Sequence, residues 1–125
     1  MDPTQIPLFE LADKRLAWVD RRQTVLAQNI ANADTPGWRP RDVKPFDAAL
    51  KAAGVSLAQT DPKHLRGSRS AGGGIVEAAS QTEPDGNGVA IDKELTKVAE
   101  TDSTHELVTD LYKKYLSFFQ TALGR

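Results

Sequence analysis

The chain has no cysteine among its 125 residues. That excludes disulfides, thiolate nucleophiles and thiolate metal sites together, and it is compatible with any redox compartment. Aromatic residues are scarce at 6%, and the hydrophobic fraction is only 39%. Such a chain can bury one seam or a small core, but not a large substrate cavity. No apolar run approaches the roughly 20 residues that a membrane span needs. The opening "MDPTQIPLFE" lacks a basic region followed by an apolar one, so no cleavable secretory signal is read there. Charge of one sign is lacking too. The formal net charge is −1, so no overall field points to nucleic acid or a membrane surface.

Chemistry-bearing clusters are equally thin. The two histidines, His64 and His105, have no second ligand at metal spacing,. There is no nucleophile elbow, and "SAGGGIV" lacks the Lys-Ser/Thr of a phosphate loop. Around "WRPR", Lys44, Lys63, Arg66 and Arg69 make a basic stretch. A single Trp is too little aromatic surface for a nucleic-acid stripe. The expectation is a protein that is not an enzyme, with no cofactor, metal, small-molecule substrate or nucleic-acid partner.

What is present lies at the two ends. In segment 1–31, Phe9, Ala12, Leu16, Val19, Gln23, Leu26 and Ile30 repeat at three- and four-residue steps. This is a heptad stripe with one polar member, Gln23. In segment 91–125, Ile91, Leu95, Val98, His105, Val108, Tyr112, Tyr115 and Phe119 do the same, with a gap after Val98. On that stripe His105 reads as a buried or interface residue. Asp92 is placed to be the N-cap, and "LGR" supplies a glycine stop,. A helix with one narrow stripe needs a partner helix. The fold class expected is mainly α, two long terminal helices packing as a coiled coil.

Residues 32–90 form a loop-rich insert holding five of the seven prolines and eight of the nine glycines. A short helix fits Phe46–Ala53, stopped by Gly54, and 75–80 is a strand candidate. Charge is uneven as well. Residues 33–70 hold seven bases and four acids, and 71–125 hold five bases and nine acids. A basic middle and an acidic end can pair within one chain or between neighbours.

Between the first helix and the insert stands "NIANADTPGW", Asn29–Trp38. Asn32 suits a left-handed helix end. Pro36 pushes Thr35 out of the helical region. Pro36-Gly37 suits the centre of a type II turn, from which Trp38 emerges. A plain structural turn is enough to explain these residues by themselves.

The wording, however, closely resembles the ANxxTPG signature of the bacterial flagellar rod and hook (axial) proteins. "RRQTVLAQN" before it and "RPRDVKPFDAAL" after it extend the resemblance. "TDPKHL" (Asp61, His64) and "DGNGVAIDKEL" (Asp85, Gly86, Asn87, Val89, Asp92, Glu94) are similar to stretches of the family's proximal rod members. The family often has Tyr where Trp38 stands, and "TDLYKKYLSFFQ" keeps the aromatic helix but not its commonest wording.

The resemblance implies a non-enzymatic subunit of the proximal rod, exported without a cleavable signal, its terminal helices building the periplasm-crossing shaft. Its partners would be other copies, other rod proteins and the membrane-ring and export-gate junction. The implied subunit contact is Asn29, Ile30, Ala31, Asn32, Asp34, Thr35, Pro36, Gly37, Trp38 and Arg39. The coiled-coil seam is Phe9, Leu16, Val19, Leu26, Ile30, Val98, Val108, Tyr112, Tyr115 and Phe119. The alternatives are a sister rod protein, or a cytoplasmic helical adaptor or export chaperone.

Overall fold

The computed structural model describes residues 7–54, 75–77 and 88–124. Along the chain come α1 (Pro7–Ala31), β1 (Arg41–Val43), α2 (Phe46–Gly54), β2 (Ile75–Glu77) and α3 (Ile91–Ala122). The protein is mainly helical, and its two long terminal helices pack on each other. At 1.5 Å per residue they are about 37 and 48 Å long.

Three contacts fix their direction. Phe9 meets Tyr112 edge-on, with ring centroids 4.8 Å apart. Midway, the Gln23 amide donates to Asp102. At the far end Asn29 donates to Glu94. Numbers rise on one helix as they fall on the other, so the pair is an antiparallel hairpin. Phe9, Val19 and Leu26 are fully buried on the α1 stripe. Burial of each such side chain contributes roughly 1.5–3 kcal/mol. Leu16, Ile30, Val98, Val108, Tyr112 and Phe119 are half-buried along the same seam, while Tyr115 lies exposed at its edge.

The heptad of α3 is continuous once polar residues are counted. Glu94, Thr101, Val108 and Tyr115 step by seven, as do Val98, His105, Tyr112 and Phe119. Glu94 and Thr101 are buried. Thr101 fills the apparent gap after Val98, because its hydroxyl donates to the Lys97 carbonyl at 2.6 Å and so enters the seam already satisfied,. Ile91 and Leu95, expected on the stripe, are instead exposed, since the helix turns Glu94 inward. His105 is exposed, keeping its imidazole hydrated at the seam edge,.

Several boundaries differ from expectation. The N-cap of α3 is Ala90, in an extended conformation and without a side-chain cap bond. Asp92 therefore lies within the first turn, where its charge still suits the helix dipole,. Burial of Val89 and the inward turn of Glu94 set this earlier start. The helix closes with Gly124 at φ +69°, as a glycine stop requires. The short central helix takes in Gly54. Residues 75–77 pair antiparallel with β1, Arg41 opposite Glu77 and Val43 opposite Ile75. Asp61, His64, Asp85, Gly86 and Asn87 lie outside the described residues.

Candidate functional site

A second stripe on α1 organises the turn and the segment after it. Arg15, Trp18, Arg22, Val25 and Asn29 keep three- and four-residue steps, displaced around the helix from the seam. The connector folds back along this stripe from top to bottom. Asn29 holds Arg41, Arg22 holds Asp42, and Trp18 donates its indole N–H to the Lys44 carbonyl at 2.7 Å. At the lower end Phe46 packs edge-on to Trp18, with centroids 6.1 Å apart. The Arg15 guanidinium lies 4.6 Å from both ring centroids. Burial, and then the nearby Arg22 charge, lowers the Arg15 pKa from its ordinary value.

Asn29 is the keystone. It is 0% exposed. Its Nδ2 donates to the Arg41 carbonyl at 2.6 Å and to Glu94 Oε2 at 2.9 Å. Its Oδ1 accepts the Arg41 N–H at 2.9 Å. The side-chain amide thus pairs with β1 as a neighbouring strand would, and ties that strand to α3. A side-chain amide supplies the two donors and one acceptor that these three bonds need. Glu94, 3% exposed, is balanced by Lys97, whose Nζ stands 2.8 Å from Oε1. A buried carboxylate is tolerable only with such partners.

Above Asn29 the helix ends by side-chain bonding rather than by left-handed backbone. No non-glycine residue has positive φ among the described residues. Asn32 is therefore not left-handed. It bonds back instead, Nδ2 to the Gln28 carbonyl at 2.8 Å, and its Oδ1 accepts from Thr35 Oγ1 at 3.2 Å. The Trp38 N–H reaches the Thr35 carbonyl at 3.2 Å, closing a turn over Pro36-Gly37. Gly37 has φ +75° with open space around its Cα, as the third position of a type II turn demands,.

The burial pattern separates anchors from tip. Asn29 and Ala33 are buried, Ile30, Asn32 and Trp38 half-buried, and Ala31, Asp34, Thr35, Pro36, Gly37 and Arg39 exposed. Trp38 Nε1 is buried without a partner among the described residues, and the Arg41 guanidinium lies 5.2 Å from its ring. Asp42 receives Arg22 through two bonds of 3.1 and 3.2 Å. Asn29 with Arg41 and Arg22 with Asp42 bond among the anchors, and the tip is left exposed. Among the described residues no cluster of three or more His, Asp or Glu could hold a metal. No described helix is long and apolar enough to cross a membrane.

Residues 12–39, the last four-fifths of α1 and the turn, match the family model for flagella basal body rod proteins. The flagellar basal body rod protein FlgB of Agrobacterium fabrum is 37% identical over 123 residues, spanning 92% of this chain and 90% of its own length. The chain belongs to the FlgB family of flagellar basal body rod proteins. The FlgB proteins of Proteus mirabilis (32% identical, 82% of each chain) and Salmonella typhimurium (34% identical, 70% of this chain and 71% of its own) are similar as well. As a FlgB-family member, the chain is a structural subunit of the flagellar basal body rod.

The family match covers the whole second stripe of α1 and all of the first but Phe9, and only the first was legible as hydrophobic periodicity. The second mixes Arg, Trp, Val and Asn. Its signal was available as spacing alone, in residues 15, 18, 22, 25 and 29.

Proposed function

We infer that this chain is a non-enzymatic building block of the proximal rod, and that the exposed tip Asp34–Gly37 with Arg39 is a joint to a neighbouring subunit. The observation that supports it is the Asn29 clamp. Three hydrogen bonds from one buried amide hold the turn to β1 and α3, so the tip sits at a fixed height and angle on the hairpin end. A joint in a shaft that transmits torque needs a defined geometry, and a turn tied to both β1 and α3 supplies it. The hairpin provides the axial element, and its neighbours are other copies and other rod proteins, up to the junction with the membrane ring and export gate.

Gly37→Val tests the reading in a motile host. Its β-branched side chain opposes the positive φ while leaving the anchors intact. The variant chain is expected to be exported but missing from purified hook–basal bodies, with swimming lost. Normal swimming would overturn the assignment.

A further inference from the structure

Two exposed surfaces of the hairpin are unlike each other. The first is an apolar groove of about 230 Å³ at the open end of the hairpin, where Leu8 and Leu11 of α1 face Leu111 and Tyr115 of α3 under Phe46. Among the described residues Arg15 is the one charged residue lining it. Stacked between Trp18 and Phe46, its guanidinium has no carboxylate within ion-pairing reach among the described residues. The second surface lies across α3 from the groove. Ile91, Leu95, Ala99, Glu106 and Asp110 fall in one line at helical spacing, and all are exposed. It offers apolar side chains followed by two carboxylates one turn apart.

We propose that the groove receives the Ile91–Asp110 face of α3 from a second copy of this chain, with Arg15 pairing to Glu106 or Asp110. The second copy is the occupant because charge and apolar character agree. An apolar groove with a single cation calls for a helix that brings carboxylates beside apolar groups. The chain's own acidic end supplies one on a face that the hairpin leaves open. A guanidinium already held between two rings loses little freedom on pairing, and carboxylate pairing at a desolvated site is where Arg contributes most. The two surfaces differ, so the contact is head-to-tail. Contacts of that type build rings or helical polymers instead of closing into two-fold dimers. This inference rests on the rod-subunit reading and adds the residues by which copies meet.

The absence of native cysteine makes the test direct. Leu11→Cys chains and Ser103→Cys chains are co-produced in the same cells, and purified hook–basal bodies are treated with a flexible bis-maleimide. The expected product joins one chain of each kind, beyond the yield of either like pair. Glu106→Arg with Asp110→Arg on the Ser103→Cys chain should lower that product roughly tenfold or more. All four substituted positions are exposed, so folding of the variants is checked by circular dichroism before assembly. Like pairs alone, no cross-link, or a yield unmoved by the two arginines overturns the proposal. Absence of both chains from the basal bodies, with folded protein in the cells, overturns the rod-subunit reading itself.

Discussion

Asn29 and Glu94, 65 residues apart in sequence, meet at 2.9 Å in the interior of the hairpin, where neither touches solvent appreciably. One comes from the turn motif and the other from the start of α3. The two stretches that most resemble the rod family therefore converge on a single hydrogen bond. That bond connects the axial helices to the direction in which the turn leaves them.

Asn29→Ala removes one acceptor and two donors from a buried site and leaves Glu94 with Lys97 as its remaining partner. Unpartnered buried groups cost about 1–3 kcal/mol each, partly recovered by relaxation. A net loss of about 2–4 kcal/mol is expected in urea unfolding. Asn29→Asp should cost at least as much, because it places a second carboxylate against Glu94 and removes the donor. Stability of the Asp variant equal to wild type would contradict the clamp.

The core and rim of the seam should respond differently to the same substitution. Phe9 is buried between Tyr112 and Phe119, so Phe9→Ala is expected to cost about 3–5 kcal/mol,. Phe118 is largely exposed, and Phe118→Ala should stay within about 0.5 kcal/mol,. Thermal unfolding of the two variants side by side distinguishes them.

The two long helices and their mutual packing were legible because hydrophobic periodicity reports a one-sided seam. Phe9, Val19 and Leu26 are members of that stripe, and all three are buried. Periodicity could not find Thr101 and Glu94, whose burial depends on partners the pattern does not contain: the Lys97 carbonyl for one, Asn29 and the Lys97 ammonium for the other. It also missed β1, three residues long and basic at one end, whose strand geometry is imposed by the Asn29 amide and by β2. The turn over Pro36-Gly37 was readable, since Pro and Gly each dictate φ locally. The mode of helix ending at Asn32 was not, because back-bonding to Gln28 and a left-handed cap demand the same residue type.

At Gly37 the backbone conformation, not crowding, limits what can replace it. Gly37→Asn should be mild, because Asn enters the left-handed region readily. Gly37→Val should cost about 1–3 kcal/mol or flip the turn. The comparison is made by urea unfolding together with the amide hydrogen exchange of Trp38, whose N–H closes the turn. Equal effects of Asn and Val would rule out the strain explanation.

The Arg22–Asp42 pair is the second tie of the connector, with both side chains mostly buried at 18% and 19% exposure. A double-mutant cycle through Arg22→Met and Asp42→Asn should give a coupling of about 1–2 kcal/mol, as two-point guanidinium–carboxylate pairs do. Additive effects would show that the connector is held by Trp18 and Asn29 alone.

On this reading Asn29 sets the orientation of the turn so that the subunit fits its place in the rod. The most direct measurement is the amount of Asn29→Ala chain in purified hook–basal bodies, relative to wild type expressed at the same level. A growth temperature is chosen at which circular dichroism shows the variant's helices intact. The account predicts incorporation reduced roughly tenfold, as a shift of about 1.4 kcal/mol in the population of the competent turn gives. Wild-type incorporation of a folded Asn29→Ala chain would contradict it.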